Sequence, residues 1–351
     1  MPETTVVVGG GVIGLSVAWR LAARQRVTLL DPAPEAAASW VAGGMLAPVT
    51  EAWPGEERLL DLGMAALDRW PEFAADLGVE LGTGGTVAVA FDSADAGQQD
   101  TQAEFLAARG RAVRRLTSRE LRALEPALSP KIRSGLSVPG DLAVDNRELL
   151  RRLRSACGTR GVTVDPRPAD EVRPGAVRLA DGTEIGCDTA VITAGAWSGA
   201  LHPALAGLIR PVKGEILRLR PRSGEPPVRH TVRALVESRP VYLVPRANGE
   251  IVLGATQYEA GFDTEVTVGG VRDLLADAER VLPGLAEYAL LECAAGLRAG
   301  SRDNLPLVGE LEPGVLVAAG HHRNGLLLAP VTADTVYALA TATPAPQPTT
   351  R

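Results

Sequence analysis

Several residue types are scarce in this chain. Only Lys131 and Lys213 are lysines among its 36 basic residues, which we interpret as compositional bias. Aromatic residues make up 4% of the sequence, and no run of about 18 apolar residues occurs, so no segment is predicted to cross a membrane. The net charge of −6 argues against a nucleic-acid partner, because such proteins usually carry a basic patch.

The three cysteines, Cys157, Cys187 and Cys293, lie far apart in the sequence. Their spacing matches neither a zinc motif nor a disulfide framework, so we expect reduced thiols and no metal site. A predicted strand begins within the first residues and leaves no room for a signal peptide. These features favour a cytoplasmic protein.

The length of 351 residues, 46% of them hydrophobic, predicts a globular chain of two domains. Residues 341–351 hold three prolines and four threonines and are predicted to form a disordered tail.

A glycine-rich stretch near the N terminus organises the rest of the chain. Residues 6–8 predict a short buried strand, and 12–24 predict a helix. The turn between them carries a G-x-G-x-x-G motif formed by Gly9, Gly11 and Gly14. In a dinucleotide-binding turn the first glycine allows the tight bend, the second admits a pyrophosphate, and the third lets helix and strand pack closely. The helix N terminus then presents free N–H groups to the phosphates.

A second strand is predicted over 27–31 and ends in Asp31. A carboxylate there can accept hydrogen bonds from the hydroxyls of an adenosine ribose, and it argues against a 2′-phosphate. The dinucleotide-binding fingerprint requires a strand, a glycine turn, a helix, a second strand and an acidic residue in this order, and all of them occur here within about 30 residues. The alternative is an ordinary βαβ turn that binds nothing.

Residues 39–48 are unusually rich in small residues. Gly43 and Gly44 would let the backbone lie against a flat ligand, and the dinucleotide motif upstream favours this interpretation. The alternative is a plain loop with a glycine hinge.

The remaining chain alternates between helical and strand patterns. Helices are predicted over 58–77, 95–110, 118–124 with Ser118 as N-cap, 146–160, 268–282 and 326–340. Strands or extended segments are predicted over 86–91, 135–144, 161–165, 177–179, 184–185, 189–195, 214–220, 241–246, 250–254, 291–297 and 314–319. This order predicts a βαβ nucleotide domain interrupted twice by a largely antiparallel second domain, with a substrate cleft between them.

The sequence resembles the D-amino-acid oxidase superfamily, and within it the glycine oxidases of thiamine biosynthesis. Besides the fingerprint and Asp31, the resemblance rests on motifs at 42–46, 194–198, 211–215, 295–298 and 319–330 and spans nearly the whole chain. It implies an α/β fold of the glutathione-reductase-2 type: a Rossmann-like FAD-binding domain interrupted by a substrate domain of mainly antiparallel sheet plus helices. We assign 1–82, 145–212 and 296–340 to the FAD-binding domain, and 83–144 and 213–295 to the substrate domain.

The resemblance implies a noncovalent FAD. No cysteine occurs in 299–304, after the strand where some members of the superfamily attach the flavin. The positions implied to bind FAD are Gly9, Gly11, Val12, Ile13, Gly14, Asp31, Pro32, Ala38, Ser39, Gly43, Gly44, Met45, Ala169, Gly195, Trp197, Gly320, His321, His322, Arg323, Asn324, Gly325, Leu326 and Leu327.

Three catalytic positions are also implied by the resemblance. Arg298 matches the arginine that grips the substrate carboxylate, Tyr242 the tyrosine that donates to the same group, and Arg323 a second active-site arginine. The alternatives are a surface ion pair for Arg298 and a core strand residue for Tyr242. We interpret His322 as a packing residue and His321 as a contributor of backbone contacts.

Two positions depart from the family pattern: Pro240 stands where a histidine is common, and Gln257 where a methionine is common. They leave glycine, sarcosine, D-alanine and D-proline open as substrates. The resemblance implies hydride transfer from the amine to flavin N5, with O2 as acceptor, giving an imino acid and H2O2, and a homo-oligomer such as a homotetramer. The alternatives are an amino-acid dehydrogenase with another acceptor and a flavin-binding module without turnover.

Overall fold

The computed structural model describes residues 3–222 and 227–341. Its helices are α1 (Val12–Leu21), α2 (Ala38–Val41), α3 (Glu57–Leu77), α4 (Ser93–Ala107), α5 (Ser118–Leu124), α6 (Asn146–Thr159), α7 (Val268–Val281) and α8 (Gly325–Thr341). Its strands are β1 (Thr4–Val8), β2 (Arg26–Leu30), β3 (Met45–Leu46), β4 (Leu81–Gly82), β5 (Thr86–Ala90), β6 (Arg114–Thr117), β7 (Ser134–Val138), β8 (Leu142–Val144), β9 (Thr163–Asp165), β10 (Ala169–Arg173), β11 (Ala176–Leu179), β12 (Glu184–Gly186), β13 (Thr189–Ile192), β14 (Arg210–Arg220), β15 (Thr231–Val236), β16 (Arg239–Pro245), β17 (Ile251–Gly254), β18 (Ala289–Gly300), β19 (Leu307–Glu312) and β20 (Val315–Ala319).

A six-stranded sheet forms the first layer, in the order β19-β20-β13-β1-β2-β9. All its pairings are parallel except that of the edge strand β19 with β20. β1 and β20 are apolar on both faces because both faces are covered, as is usual for parallel sheets. The carboxyl ends of the parallel strands therefore meet at one edge, where ligands bind in such sheets.

Helices α1, α3 and α8 share one hydrophobic core on this sheet. In α3, apolar residues recur at helical spacing and bury Trp70 and Phe73, as predicted. The Trp70 indole donates a hydrogen bond of 2.9 Å to the carbonyl oxygen of Leu327, which fixes α8 against α3.

An eight-stranded sheet forms the second layer, in the order β18-β14-β17-β16-β15-β5-β7-β6. Its pairings are antiparallel except that β5 runs parallel to β15. Helix α7 contributes Leu274, Ala278 and Val281 to the core of this layer. The described residues also form two three-stranded sheets, β10-β11-β12 and β3-β8-β4.

Most predicted elements have counterparts within a few residues of the predicted limits, but three details differ. The N-cap of α5 is Thr117 rather than Ser118, because the Thr117 hydroxyl accepts a hydrogen bond from the Glu120 backbone N–H and the Glu120 carboxylate accepts one from the Thr117 backbone N–H, which forms a capping box. Thr341 ends α8 and is not part of a disordered tail, while 342–351 lie outside the described residues. No sequence pattern predicted the short elements α2, β3, β4, β6 and β10, or the strands β15 and β19.

The predicted domain boundaries stay a prediction, although two strands run across them. β14 crosses the boundary at 212 and β18 the boundary at 296, so both strands belong to the junction. Among the described helices, none is long and apolar enough to cross a membrane.

Candidate active site

A cavity of about 460 Å³ opens at the carboxyl ends of β1, β13 and β20. Many residues predicted to bind FAD line it: Gly9, Gly11, Val12, Ile13, Asp31, Pro32, Ala38, Ser39, Ala169, Gly195, Trp197, Gly320, His321, His322 and Gly325. Arg298 lines the same cavity. Its walls are mainly backbone and small side chains, which suits a large, flat ligand held by main-chain groups.

The turn after β1 is compressed against the strand and helix beside it. Gly9 has a φ of 111°, which favours glycine. A Cβ on Gly14 would overlap the carbonyl oxygen of Gly9, so α1 can pack this closely only with glycine there. A Cβ on Gly10 would overlap the carboxyl group of Asp31. Gly10 is therefore a site residue that the motif spacing did not reveal.

Helix α1 begins beside the cavity. Gly11 is its N-cap and makes no side-chain cap. The Val12 N–H donates to the Ser39 hydroxyl at 3.0 Å. A pyrophosphate in the cavity would meet the positive end of the helix dipole and the free N–H groups of this turn.

Asp31 follows β2 and is 7% exposed. Its Oδ2 atom pairs with Arg154 Nη2 on α6 at 3.1 Å. This partner was not predicted, since the polar face of an amphipathic helix gives no signal for one contact with a residue 123 positions away.

Arg298 near the end of β18 carries a charge without a partner carboxylate. Its Nη1 atom donates to the carbonyl oxygens of Thr256 at 3.3 Å and Lys213 at 3.5 Å. The guanidinium lies over Gly214, where a Cβ would overlap it. Among the described residues, no carboxylate lies within 4.0 Å of this guanidinium, unlike the surface ion pair considered as the alternative.

Tyr242 on β16 lies between two glycines. A Cβ on Gly43 would lie 2.9 Å from the Tyr242 hydroxyl oxygen, and a Cβ on Gly254 would overlap the ring. Burial raises the pKa of the Tyr242 hydroxyl, against the opposing effect of the Arg298 charge. Tyr242 is therefore a neutral donor at pH 7, close enough to Arg298 for the charge of the arginine to influence its pKa.

The Arg323 side chain lies outside the cavity wall. Its guanidinium pairs with Glu56 at 2.9 Å and with Glu51 at 3.6 Å. Burial of Glu51 raises its pKa, but the charges of Arg233, Arg323 and Arg298 outweigh this and hold the pKa below its usual range. Glu51 is thus an ionised group behind the site that sequence analysis did not identify.

Several predicted FAD contacts lie beside the cavity rather than in its wall. Gly43 contacts Tyr242, and its carbonyl oxygen accepts a hydrogen bond of 2.7 Å from the buried Arg246. Gly44 has a φ of 82° and lies against Arg246, while Met45 pairs with β8. The remaining members of this group, which lie in or just before α8, are Asn324, Leu326 and Leu327.

The two adjacent histidines are both neutral at pH 7. Burial lowers the pKa of His321 to about 3, and its Nε2 atom lies 3.0 Å from the Thr332 hydroxyl. Burial, with repulsion from Arg323 and Arg298, lowers the pKa of His322 to about 4. His322 adopts a left-handed φ of 47°, which turns the chain at the cavity wall.

The residues present fit FAD. The glycine turn and α1 offer N–H groups to a pyrophosphate, Asp31 offers a carboxylate to a ribose, and small residues flank both. Further wall residues that were not predicted include Thr193, Ala194 and Pro168. Among the described residues, no cluster of side chains is suited to a metal ion, and the three cysteines are unpaired.

Comparisons with known proteins agree with this geometry. Residues 4–339 match the model of the DAO family, described as FAD dependent oxidoreductase. The glycine oxidase of Geobacillus kaustophilus is 31% identical over 344 residues, covering 93% of this chain and 89% of that protein. The crystal structure of glycine oxidase from that organism superposes with a TM-score of 0.89 at 29% identity, covering 97% of this chain and 96% of that one.

A second kind of relative is longer. The bifunctional protein ThiO/ThiG of Synechocystis sp. is 33% identical over 344 residues, which is 93% of this chain but 50% of that protein. This chain thus spans about half the length of the bifunctional relatives that it matches. Together the comparisons confirm the predicted fold class, the predicted family and FAD as the cofactor.

We expect Gly14→Ala and Gly11→Ala to separate packing from cofactor binding. Gly14→Ala should lower the free energy of unfolding of the apoprotein by about 1–3 kcal/mol, because its Cβ meets backbone. Gly11→Ala should keep the free energy of unfolding within about 0.5 kcal/mol of the wild-type value, because its Cβ meets only the Ser39 hydroxyl at 3.4 Å. The same variant should weaken FAD binding. Urea unfolding and FAD titration measure the two effects, and equal destabilisation by both variants would contradict the assignment.

The low pKa of His321 predicts a specific pH dependence. The unfolded chain takes up a proton near the ordinary histidine pKa of about 6.5, whereas the folded chain does so only near pH 3. The contribution of His321 to the free energy of unfolding is therefore fully present above about pH 6.5. It falls on acidification and is about 2 kcal/mol smaller at pH 5. His321→Gln should show a correspondingly shallower loss between pH 8 and pH 5 in urea unfolding with excess FAD. Parallel pH profiles for the two proteins would contradict this origin.

Proposed function

The chain belongs to the DAO family of FAD-dependent oxidoreductases, and we propose that it catalyses the oxidative deamination of glycine and similar small amines with O2 as the electron acceptor. The relatives named glycine oxidase that it covers almost completely support this choice of substrate. Sarcosine, D-alanine and D-proline remain alternative preferred substrates.

One observation carries the proposal: a guanidinium without a partner carboxylate lines the cofactor cavity. Arg298 is held there by two backbone carbonyl oxygens, so its remaining N–H groups can grip a substrate carboxylate. Tyr242 is a neutral donor near the same place and can bind the same carboxylate. These two contacts would fix the amino acid with its Cα hydrogen facing the cofactor.

The cavity wall supports a reaction that depends on positioning. Among the described residues that line it, the ionisable side chains are Asp31, Arg298, His321 and His322. In this proposal Asp31, paired with Arg154, binds the cofactor, and His321 contacts the Thr332 hydroxyl, so neither serves as a base for the substrate. The substrate amine would react in its uncharged form. Bound FAD would supply the acceptor for the hydride, which carries both electrons from the amine.

Arg323 would act through Glu51 in this proposal. Its ion pair with Glu51 balances one buried carboxylate behind the site, in addition to the pair that Arg233 makes with the same group. This leaves Arg298 as the positive group that faces the cavity and preserves its attraction for an anionic substrate.

The imino acid formed from glycine would feed the thiazole ring of thiamine, a role supported by the relative from Rhizobium etli that is named as a putative thiamine biosynthesis oxidoreductase, ThiO. An amino-acid dehydrogenase with a different acceptor would use the same cavity. A cytoplasmic location and a homo-oligomeric assembly remain part of the proposal.

The test of this proposal is an anaerobic absorption spectrum of the purified holoenzyme with excess glycine. We expect the oxidised flavin bands to bleach and to return on admission of air, with H2O2 formed. Bleaching by sarcosine or D-proline alone would keep the reaction type and replace the substrate. A flavin that no small amine reduces would support the non-catalytic alternative, and bleaching without reoxidation by air would support the dehydrogenase.

Arg298→Ala should raise the KM for glycine strongly and leave FAD bound. The loss of a charge-assisted contact predicts a fall in kcat/KM of about 10²-fold or more. Arg302, which is exposed in the following loop, provides the matched control, and Arg302→Ala should keep wild-type kinetics. An unchanged KM in Arg298→Ala would refute the assigned role.

A further inference from the structure

We propose that Arg154 on α6 is a positioning residue for the cofactor, which holds Asp31 in the orientation that binds the adenosine ribose of FAD. This inference concerns cofactor affinity and does not depend on which amine is oxidised. It rests on one cluster of contacts at the end of β2.

A single nitrogen of Arg154 joins three parts of the cofactor site. Its Nη2 atom lies 3.1 Å from Asp31 Oδ2, 3.4 Å from the carbonyl oxygen of Gly10 and 3.4 Å from that of Pro34. The Arg154 guanidinium therefore contacts the glycine turn, the Asp31 carboxylate and the loop after β2. The Arg154 side chain is 28% exposed and that of Asp31 is 7% exposed, so the pair is partly shielded from water.

The pairing leaves one carboxylate oxygen available. Arg154 binds Oδ2, whereas Oδ1 accepts no hydrogen bond from the described residues and Asp31 lines the cavity. A ribose hydroxyl can donate to Oδ1 while Oδ2 is fixed by a charge-assisted bond. The positive charge also offsets the repulsion between the carboxylate and a nearby pyrophosphate.

Helix α6 holds the other side of the site in the same way. The Asn146 side-chain amide donates to the carbonyl oxygens of Ser39 and Trp40, both at 2.8 Å. Arg154 lies eight residues further along, about 12 Å along the helix axis. The first residue of α6 thus fixes the loop at Ser39, and a residue two turns later fixes the Asp31 carboxylate.

The same helix offers a matched control. Arg152 is exposed and pairs with Glu148 at 2.7 Å, away from the cavity lining. Arg152→Met removes the same charge from the same helix without touching Asp31. Any effect specific to Arg154→Met therefore belongs to the contacts with the cofactor site.

The experiment titrates the full-length apoprotein with FAD, ADP and 2′-deoxy-ADP by calorimetry. In Arg154→Met we expect FAD and ADP to bind about tenfold or more weakly, while Arg152→Met binds as wild type. The preference for ADP over 2′-deoxy-ADP should fall towards one, because Asp31 is no longer held against the ribose. Arg154→Lys should restore part of the preference, and it replaces Arg154→Met if that variant does not fold.

A double-mutant cycle completes the test. If Arg154 acts through Asp31, Asp31→Asn combined with Arg154→Met should bind ADP no more weakly than Asp31→Asn alone. Equal weakening of ADP and 2′-deoxy-ADP, additive losses in the cycle, or unchanged binding would each overturn the proposal. All of these readouts are binding measurements, so failure to oxidise glycine would leave them unaffected.

Discussion

The pairing of β14 with β18 is the constraint on which the site depends. The two strands remain paired from Arg210 opposite Gly300 to Arg220 opposite Ala289, with one irregularity in register. This ladder forms one edge of the eight-stranded sheet, and Leu297, Arg298 and Ala299 near its end line the cofactor cavity. Arg298 is therefore held opposite Val212 by a hydrogen-bonded ladder and does not depend on a flexible loop for its position.

Local charge at the site differs from the charge of the whole chain. The net charge of −6 is distributed over a surface with many ion pairs, yet Arg298 lines the cavity without a partner carboxylate. Arg233 and Arg323 are instead paired with Glu51. Attraction for an anion in the cavity thus depends on which arginines are neutralised, a property that does not follow from the composition of the chain.

Local patterns in the sequence predicted the elements that depend on neighbouring residues. The glycine turn, α1, α3 and the strand that leads to Asp31 follow from periodicity and spacing. The parallel pairing of β15 with β5 and the contact of Arg154 with Asp31 join residues more than 100 positions apart, and no local pattern encodes them. The direction of Arg323 likewise depends on Glu51 and Glu56, which lie in a loop without periodicity.

Tyr242 is enclosed by two glycines that lie far apart in the sequence. Gly43 belongs to the loop after α2, and Gly254 ends a strand of the eight-stranded sheet. A side chain at either position would occupy the space of the phenol ring, so these three positions cannot change independently during evolution. A lineage that replaces the tyrosine by a smaller residue gains room for a side chain at 43 or 254, and with it a different packing of the loop after α2 against the eight-stranded sheet.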